Sequence, residues 1–165
     1  MLLVLLALGC GYRVVTGRAV LPGGGRQLVI GQVVNLSSEP AAGAWLTEAL
    51  HRQAGRAGLE VAASGRGPRL RVRLRDVSAR PLAVSLVGGR YRARQQVVEA
   101  GIQVELLEGQ QLLSRCRLHE QESYLSAPDL RGGEANRQVA LRRVFERLAR
   151  RSLECLLEGA GARGR

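Results

Sequence analysis

The chain has 165 residues, of which 45% are hydrophobic and 3% aromatic, and its formal net charge at neutral pH is +11. This length suits a single domain, and the recurring Leu and Val argue against an intrinsically disordered chain. All 25 basic residues are Arg, a bias that GC-rich codons produce, so the charge alone does not indicate nucleic-acid binding. It predicts a basic surface that attracts polyanions.

The N-terminus is typical of an export signal. Residues 2–8 are an uninterrupted apolar run, too short to span a bilayer but suited to the apolar region of a signal peptide. Residues 7–10, with the sequence ALGC, resemble a bacterial lipobox, although Leu8 stands where a small residue is usual and no basic residue precedes the run. We therefore expect residues 1–9 to be a signal peptide and Cys10 to carry lipid. The alternative is an N-terminal strand with an incidental cysteine.

The rest of the chain is predicted to form a tether, one domain and a tail. The flexible tether covers residues 10–25, the single α+β domain covers 26–158, and a disordered tail covers 159–165. Residues 26–34 are an apolar run rich in β-branched side chains. This run predicts a buried first strand, and a short strand is also predicted over 59–62.

A first helix is predicted over residues 40–56. Ser38 with Pro40 suits a helix N-terminus, and Glu39 places a carboxylate where the helix dipole favours one. Gly58 follows the last helical position and is expected to close the helix. The predicted core stripe of this helix consists of Ala42, Leu46, Ala49, Leu50, Gln53 and Ala57.

The clearest local pattern lies in residues 69–75, where arginines alternate with aliphatic residues. A period of two places the arginines on one face of a strand and the aliphatic side chains on the other. Residues 81–87 predict an extended, apolar arm, and a second arginine row begins the strand over 90–106. The two rows are Arg69, Arg71, Arg73 and Arg75, and Arg90, Arg92 and Arg94.

A hairpin and a long helix complete the chain. Glu108-Gly109 predicts the hairpin turn, and residues 111–124 predict the returning strand. Residues 126–133 hold one Pro and two Gly and predict a loop, after which helical spacing predicts a helix over 134–158. The order of elements predicts an α+β fold with two helices packed on one face of a mostly antiparallel sheet of about four strands.

Cys116 and Cys155 are both expected to face the core. Cys116 shares a strand face with Leu118, and Cys155 lies on the apolar stripe of the last helix. Two states remain open for them, a disulfide and a pair of buried free thiols.

The sequence offers little for catalysis or metal binding. His51, His119, Asp76 and Asp129 form no pairing of nucleophile, base and orienting group. The cysteine spacing fits no zinc motif. We therefore expect a protein that is not an enzyme and that holds no metal or cofactor.

The two arginine rows are the best functional candidates. Guanidinium groups are always charged and form bidentate bonds to phosphate, so a row at strand spacing could hold a polyphosphorylated or sulfated ligand. The alternative is a solvated sheet face. Nucleic acid is not expected as the ligand, because Tyr91 is the one aromatic residue among the arginines and base stacking needs more.

Several local features, taken in order along the chain, resemble one family, the lipopolysaccharide-assembly lipoprotein LptE. The resemblance spans almost the whole mature chain. The features are Cys10-Gly11-Tyr12-Arg13, Leu21-Pro22, Asn35-Leu36-Ser37-Ser38-Glu39-Pro40 after the first strand, Arg90-Tyr91-Arg92, Tyr124, and Glu134-Ala135-Asn136-Arg137-Gln138-Val139-Ala140-Leu141 in the last helix.

The resemblance implies a lipoprotein of the outer membrane, anchored through Cys10 on the periplasmic side. Members of the family form a plug inside the β-barrel protein LptD, assist its assembly and bind lipopolysaccharide for delivery to the outer leaflet. Their fold has two helices against a four-stranded sheet. Because lipopolysaccharide carries phosphates, strand parity makes its expected contacts Arg71, Arg73, Arg90, Arg92 and Arg94.

Two other functions stay open at this stage. One is a different periplasm-facing envelope lipoprotein that acts as activator or accessory of a cell-wall synthase or a secretion complex. The other is a cytoplasmic basic domain that binds nucleic acid.

Overall fold

The protein is described by a computed structural model that covers residues 19–22, 24–65, 67–87, 90–127 and 129–161. The predicted signal peptide, the lipidation site Cys10 and residues 162–165 lie outside these described residues. The elements are β1 (Gln27–Ile30), β2 (Val34–Asn35), α1 (Ala42–Arg56), β3 (Glu60–Ala62), β4 (Arg69–Val87), β5 (Arg90–Glu108), β6 (Gln111–Leu125) and α2 (Leu130–Gly161).

The α+β class and the two helices are confirmed, but the predicted sheet differs from the observed one. Within the described residues the sheet has six strands, not about four, in the order β3-β1-β4-β5-β6, with β2 beside β4. The sheet is also mixed, because β1 pairs in parallel with β3 and β4. β1 and β3 are parallel because α1 carries the chain from β1 and β2 across to β3, and such a crossover returns the next strand in the same direction. β4, which follows β3 after a short connection, runs in that direction too.

The predicted first strand divides into β1 and β2. Both run beside β4, with Val29 opposite Arg69 and Val34 opposite Arg73. Between them the backbone N–H of Gly31 donates to the carbonyl of Leu70 over 3.0 Å. Two short strands therefore occupy the place of the one predicted strand.

Three long antiparallel strands, β4, β5 and β6, form the body of the sheet. β4 continues through Pro81 to Val87, so the extended, apolar arm predicted over residues 81–87 is part of this strand. Its pairing with β5 is irregular between Leu74 and Asp76 and between Pro81 and Val84. Beyond Leu74 the described pairings of β4 are with β5. One edge of β4 is open there, so Pro81 can lie in the strand although its nitrogen carries no hydrogen.

Both helices pack on the same face of the sheet. Leu70, Val72 and Leu74 are fully buried and belong to one core with residues of both helices, as the alternation predicts. Val139, which the helical spacing places on the core stripe, is instead half exposed. The helix core consists of Ala42, Leu46, Ala49, Leu50 and Ala54 of α1 and Ala140, Leu141, Val144, Phe145, Leu148, Ala149, Leu153 and Leu156 of α2.

The start of α1 differs from the prediction. The N-cap residue is Ala41, which makes no side-chain cap, so neither Ser38 nor Glu39 lies in the helix. Asn35 organises the preceding turn, since its side chain donates to the Glu39 carbonyl over 2.8 Å and accepts from the Ser37 N–H over 3.0 Å. Glu39 forms an ion pair with Arg137 of α2. The turn therefore joins the two helices.

The end of α1 follows the prediction. Gly58 has φ +73°, in the left-handed region that favours glycine. The N–H of Leu59 donates to the Ala54 carbonyl and that of Gly58 to the Gly55 carbonyl, each over 3.0 Å. This pair of bonds is the Schellman motif and satisfies the last carbonyls of the helix.

α2 begins four residues before its predicted start, at Leu130 and not at Glu134. The side chain of Asp129 accepts a hydrogen bond from the N–H of Gly132 over 2.7 Å. An Asp that binds the N–H three residues later is an N-cap, which stabilises a helix by about 1 kcal/mol. The cap offsets the low helix propensity of Gly132 and Gly133.

α2 also protects the outer edge of β6. Its side chains donate to backbone carbonyls of that strand, with Arg147 bonded to Gln121 over 2.7 Å and Asn136 bonded to Leu125 over 2.9 Å. An unpaired strand edge is a template for aggregation, and side chains that occupy its carbonyls block that pairing. Some of the arginines of α2 therefore have a structural role.

Two carboxylates with lowered pKa values connect α2 to its neighbours. Burial of Glu120 raises the pKa of its carboxyl, but hydrogen bonds from Arg151 and Arg147 outweigh it, and the pKa lies below its ordinary 4.5. Burial likewise raises the pKa of Glu146, but hydrogen bonds from Arg52 and Gln53 outweigh this effect, and the pKa is again below its ordinary value. Glu120 joins α2 to β6, and Glu146 joins it to α1.

We expect acid to destabilise the fold through these carboxylates. Because the folded-state pKa of Glu120 is lowered, its contribution is complete above the unfolded value, about 4.5, and is lost as pH falls through the folded-state pKa. Urea titrations at several pH values should show a smaller acid loss of unfolding free energy in Glu120→Gln than in the wild type. Glu154→Gln, which removes an exposed carboxylate 3.6 Å from Arg150, is the control. Equal acid losses in all three proteins would contradict the prediction.

Candidate anion-binding site on the sheet

The face of the sheet opposite the helices carries a cluster of arginines, which we call the arginine face. Its arginines belong to β4 and β6, the two strands that flank β5. In the cross-strand register, Arg71 and Arg115 lie on either side of Glu105, and Arg73 and Arg117 lie on either side of Gln103. The cluster consists of Arg69, Arg71, Arg73 and Arg75 of β4 and Arg115 and Arg117 of β6.

Local sequence explains why these arginines share a face. Leu70, Val72 and Leu74 face the core, so the arginines between them point away from it. The same alternation holds in β6, where Cys116 is buried and its neighbours Arg115 and Arg117 are exposed. Burial of the apolar set therefore fixes the direction of the charged set.

Two polar side chains of β5 lie buried beneath the guanidinium groups. The amide of Gln103 donates to Glu105 over 2.9 Å and accepts from Arg75 over 3.3 Å. Glu105 is 5% exposed, and its carboxylate lies 3.1 Å from Arg115 and 3.7 Å from Arg71. A buried carboxylate between two cations is satisfied, and it holds both guanidinium groups in place.

Arg73 and Arg117 differ from Arg71 and Arg115 in their partners. Among the residues that the structure describes, no carboxylate lies within 4.0 Å of either guanidinium group. The two residues flank Gln103 on neighbouring strands, so their backbones are about 10 Å apart at ~4.8 Å per strand. Side chains of this length can converge on one anion above Gln103, which makes this pair the centre of the candidate site.

The structure brings together two of the five arginines that we expect to contact the ligand. Arg71 and Arg73 lie on the arginine face. Arg90, Arg92 and Arg94 lie in the N-terminal part of β5, far from Gln103 and Glu105 near its C-terminal end. At ~3.3 Å per residue, position 92 is roughly 36 Å along the strand from position 103. The two predicted rows therefore belong to opposite ends of the β4–β5 hairpin and do not form one site.

Arg115 and Arg117 are members of the site that the sequence prediction omits. The sequence contains the information needed to find them. Cys116 and Leu118 are predicted to face the core, so Arg115 and Arg117, at the alternate positions of the strand, must face the other way. The hairpin turn pairs Glu108 with Gln111, and an irregularity between Leu106 and Leu107 then shifts the register by one residue, which places Arg115 opposite Glu105. Strand parity would have found both arginines, but their partners on β5 depend on this shift.

The cysteine pair lies on the opposite face of the same strand. A disulfide joins Cys116 of β6 to Cys155 of α2, with 6.6 Å between their Cα atoms. This distance falls within the usual range for a disulfide. Of the two states that the sequence left open, the structure contains the disulfide, which attaches the strand of Arg115 and Arg117 to the last turns of α2.

The described residues show neither a metal site nor a membrane-spanning helix. No group of three or more His, Cys, Asp and Glu side chains in this part of the chain is placed to hold a metal ion. No helix among these residues combines the length and hydrophobicity that crossing a bilayer requires. His119 is exposed and lies 3.9 Å from Glu99.

Solved structures with a similar fold come from bacterial lipoproteins. Rare lipoprotein B from Shewanella oneidensis aligns with a TM-score of 0.57 at 14% identity, over 82% of this chain and 100% of that chain. A minor lipoprotein from Acinetobacter baumannii aligns with a TM-score of 0.56 at 13% identity, over 83% and 92% of the two chains. This chain has the fold that these lipoproteins share.

The PelC dodecamer from Paraburkholderia phytofirmans is also similar, with a TM-score of 0.50 at 15% identity over 86% of this chain and 96% of that chain. No protein-family model matches the sequence, and no curated protein matches it. At these identities the likeness extends to the fold and not to a particular activity.

Proposed function

We propose that this chain is a non-enzymatic lipoprotein of the outer membrane, anchored by lipid on Cys10 and facing the periplasm. Its function would be that of the LptE family, as a plug and assembly factor of an LptD-type β-barrel that binds lipopolysaccharide. The lipobox-like residues 7–10 support the anchor, and the shared lipoprotein fold supports the class. The disulfide between Cys116 and Cys155 suits an oxidising compartment such as the periplasm.

The arginine face is the observation that carries the ligand assignment. Lipopolysaccharide presents several phosphates on a fixed sugar scaffold, and guanidinium groups bind phosphate in a bidentate manner. Arg73 and Arg117 could share one phosphate above Gln103. Arg71 and Arg115 are two cations that share the single carboxylate of Glu105, so they keep a net positive charge and could contact a second phosphate more weakly. Arg90, Arg92 and Arg94 remain proposed contacts, at a separate place on the hairpin.

The helical surface is a weaker candidate for the ligand because much of its charge is paired. Arg147 lies 2.8 Å from Glu122 and 3.2 Å from Glu120, and Arg143 lies 3.3 Å from Glu122. A cation with a carboxylate partner contributes less to binding an external anion. The helical surface is therefore less suited than the arginine face to binding an external anion.

Co-purification from crosslinked membranes tests the proposed partner. Tagged full-length protein should recover an outer-membrane β-barrel of the LptD type together with lipopolysaccharide. Recovery of a cell-wall synthase or a secretion channel without that barrel would instead favour the accessory lipoprotein.

Metabolic labelling with palmitate tests the anchor. The wild type should incorporate label and sediment with outer membranes, and globomycin should block its processing. Cys10→Ala should lose both label and membrane attachment, while Cys116→Ala should keep both. An unlabelled wild-type protein in the cytosol would overturn the lipoprotein assignment and favour the basic nucleic-acid-binding domain.

A further inference from the structure

The far half of the β4–β5 hairpin extends beyond the rest of the sheet, and we call residues 80–87 and 90–96 the arm. β6 ends at Leu125, which pairs with Gln95. From Val84 opposite Ala93 to Val87 opposite Arg90, the described pairing is between β4 and β5 alone. At ~3.3 Å per residue this two-stranded tip is about 13 Å long.

The β4 side of the arm exposes apolar side chains. Leu82, Val84 and Leu86 are 52%, 58% and 62% exposed. Isolated exposed aliphatic residues are common, but these three lie within five residues of one another and form an exposed apolar cluster. The pairing of β4 with β5 is irregular between Pro81 and Ala83 and between Ala83 and Val84, so the cluster is not a regular strand face. The pattern is unlike the base of β4, where Leu70, Val72 and Leu74 are fully buried at the same spacing.

Further exposed apolar residues lie at the base of the arm. Leu125 and Val139, both more than half exposed, line an open cleft of 330 Å³ beside Gln95. Leu130, almost fully exposed, borders a neighbouring cleft beside Gln96. Exposed apolar side chains therefore lie at the base of the arm and at the start of α2 as well as on the arm.

The arm is also strongly basic in sequence. Residues 77–98 contain no Asp or Glu, and their arginines are Arg80, Arg90, Arg92 and Arg94. A net charge of +4 over this segment attracts an anionic surface. Its apolar side chains favour a surface in which hydrocarbon lies beneath the charged groups, as in a lipid bilayer. The acidic residues of the neighbouring sheet begin at Glu99, outside the arm.

We propose that the arm is a membrane-binding hairpin that inserts its apolar side chains into the boundary between headgroups and acyl chains of an anionic lipid bilayer. The basic segment supplies attraction to the headgroups, and Leu82, Val84 and Leu86 supply the hydrophobic contact. Insertion is shallow, because the open edges of a two-stranded ribbon must keep their backbone groups hydrated. The proposal does not use the arginine face, but it assigns Arg90, Arg92 and Arg94 to lipid headgroups, whereas the proposed function gives these three residues to lipopolysaccharide.

Vesicle binding by the full chain tests this proposal. The protein carries Cys10→Ser, so no lipid anchor contributes, and it is mixed with vesicles of phosphatidylcholine alone or with added phosphatidylglycerol. We expect binding to the anionic vesicles and a loss of roughly tenfold or more in Leu82→Ser/Val84→Ser/Leu86→Ser. The matched control is Val20→Ser/Val34→Ser/Leu36→Ser, which removes three exposed apolar side chains outside the arm and should bind like the parent.

A second measurement locates the inserted residue directly. In a Trp45→Phe background, Val84→Trp places a single tryptophan on the arm, and Val34→Trp places one elsewhere. Brominated acyl chains should quench the first and leave the second unchanged. Circular dichroism of each variant establishes that it is folded.

Three results would overturn the proposal. One is an equal loss of binding in the arm and control triple variants, which would assign binding to another part of the chain. The second is a tryptophan at position 84 that brominated lipid does not quench. The third is a dimer in sedimentation experiments that only the arm variant converts to monomer, which would mean that a second copy of the chain covers the apolar patch.

Discussion

Replacing Cys155 with Ala should lower the free energy of unfolding by about 4 kcal/mol. The disulfide to Cys116 closes a loop with a sequence separation of 39 residues, and in the chain-entropy model a loop of this size contributes about 4 kcal/mol. Cys116 is buried in the core, and Cys155 packs against it from the last turns of α2. Without the bond, the part of α2 that follows Arg147 is held to β6 by Arg151 and core packing alone among the contacts described.

Urea unfolding of the Cys10→Ser protein, with and without reductant, measures this contribution. The reduced parent should unfold at the lower urea concentration found for Cys155→Ala, and reductant should leave the variant unchanged. A control is Ser152→Ala, which removes a buried hydroxyl on the same helix, bonded to the Leu148 carbonyl over 2.6 Å, but keeps the disulfide. A parent whose stability does not respond to reductant would contradict the prediction.

The parts of the fold with a strong local pattern could be predicted from the sequence. The alternation in residues 69–75 identifies both the strand and its buried face, because only one parity is apolar. Gly58 identifies the end of α1, since the left-handed backbone there favours glycine. The hairpin at Gly109 follows from the same preference, with φ +58°.

Features that depend on tertiary context were missed. Pro81 is tolerated in β4 because that stretch of the strand has an open edge, which depends on how far β1 and β2 extend along it. The two Gly after Leu130 indicate a loop, but the Asp129 cap offsets their low helix propensity. The parallel pairs of β1 depend on the crossover through α1, which periodicity does not reveal.

The candidate site was half predicted for the same reason. Strand parity correctly places Arg71 and Arg73 on the helix-free face, since parity is a local property. Whether Arg92 lies beside Arg73 depends on register, and the antiparallel hairpin places Gln103 opposite Arg73 and moves Arg92 to the far end. Glu105 was also missed, because a single carboxylate in an apolar strand gives no signal until its arginine neighbours are known.

Replacing Arg71, Arg73 and Arg117 with Gln should weaken lipopolysaccharide binding by roughly tenfold or more, because charge-assisted bonds to phosphate would be lost at one place. Removing the same charge from the helices, through Arg56→Gln/Arg131→Gln/Arg150→Gln, should reduce binding much less. These helix positions suit a control better than Arg143 and Arg147, whose ion pairs with Glu122 stabilise the fold. Titration of purified Cys10→Ser protein with fluorescent lipopolysaccharide measures both losses.

Glu105→Gln separates a built anion site from a merely basic surface. The substitution keeps an acceptor for Gln103 and removes the carboxylate that holds Arg71 and Arg115, so both guanidinium groups become available to phosphate. We expect affinity for lipopolysaccharide to rise severalfold, roughly three- to tenfold. Glu154→Gln makes the same change in net charge on the exposed surface of α2, and should leave the affinity near that of the parent. Equal affinities for the two Gln variants, together with equal losses for the two arginine triples, would mean that total charge alone determines binding and that the arginine face is not a site.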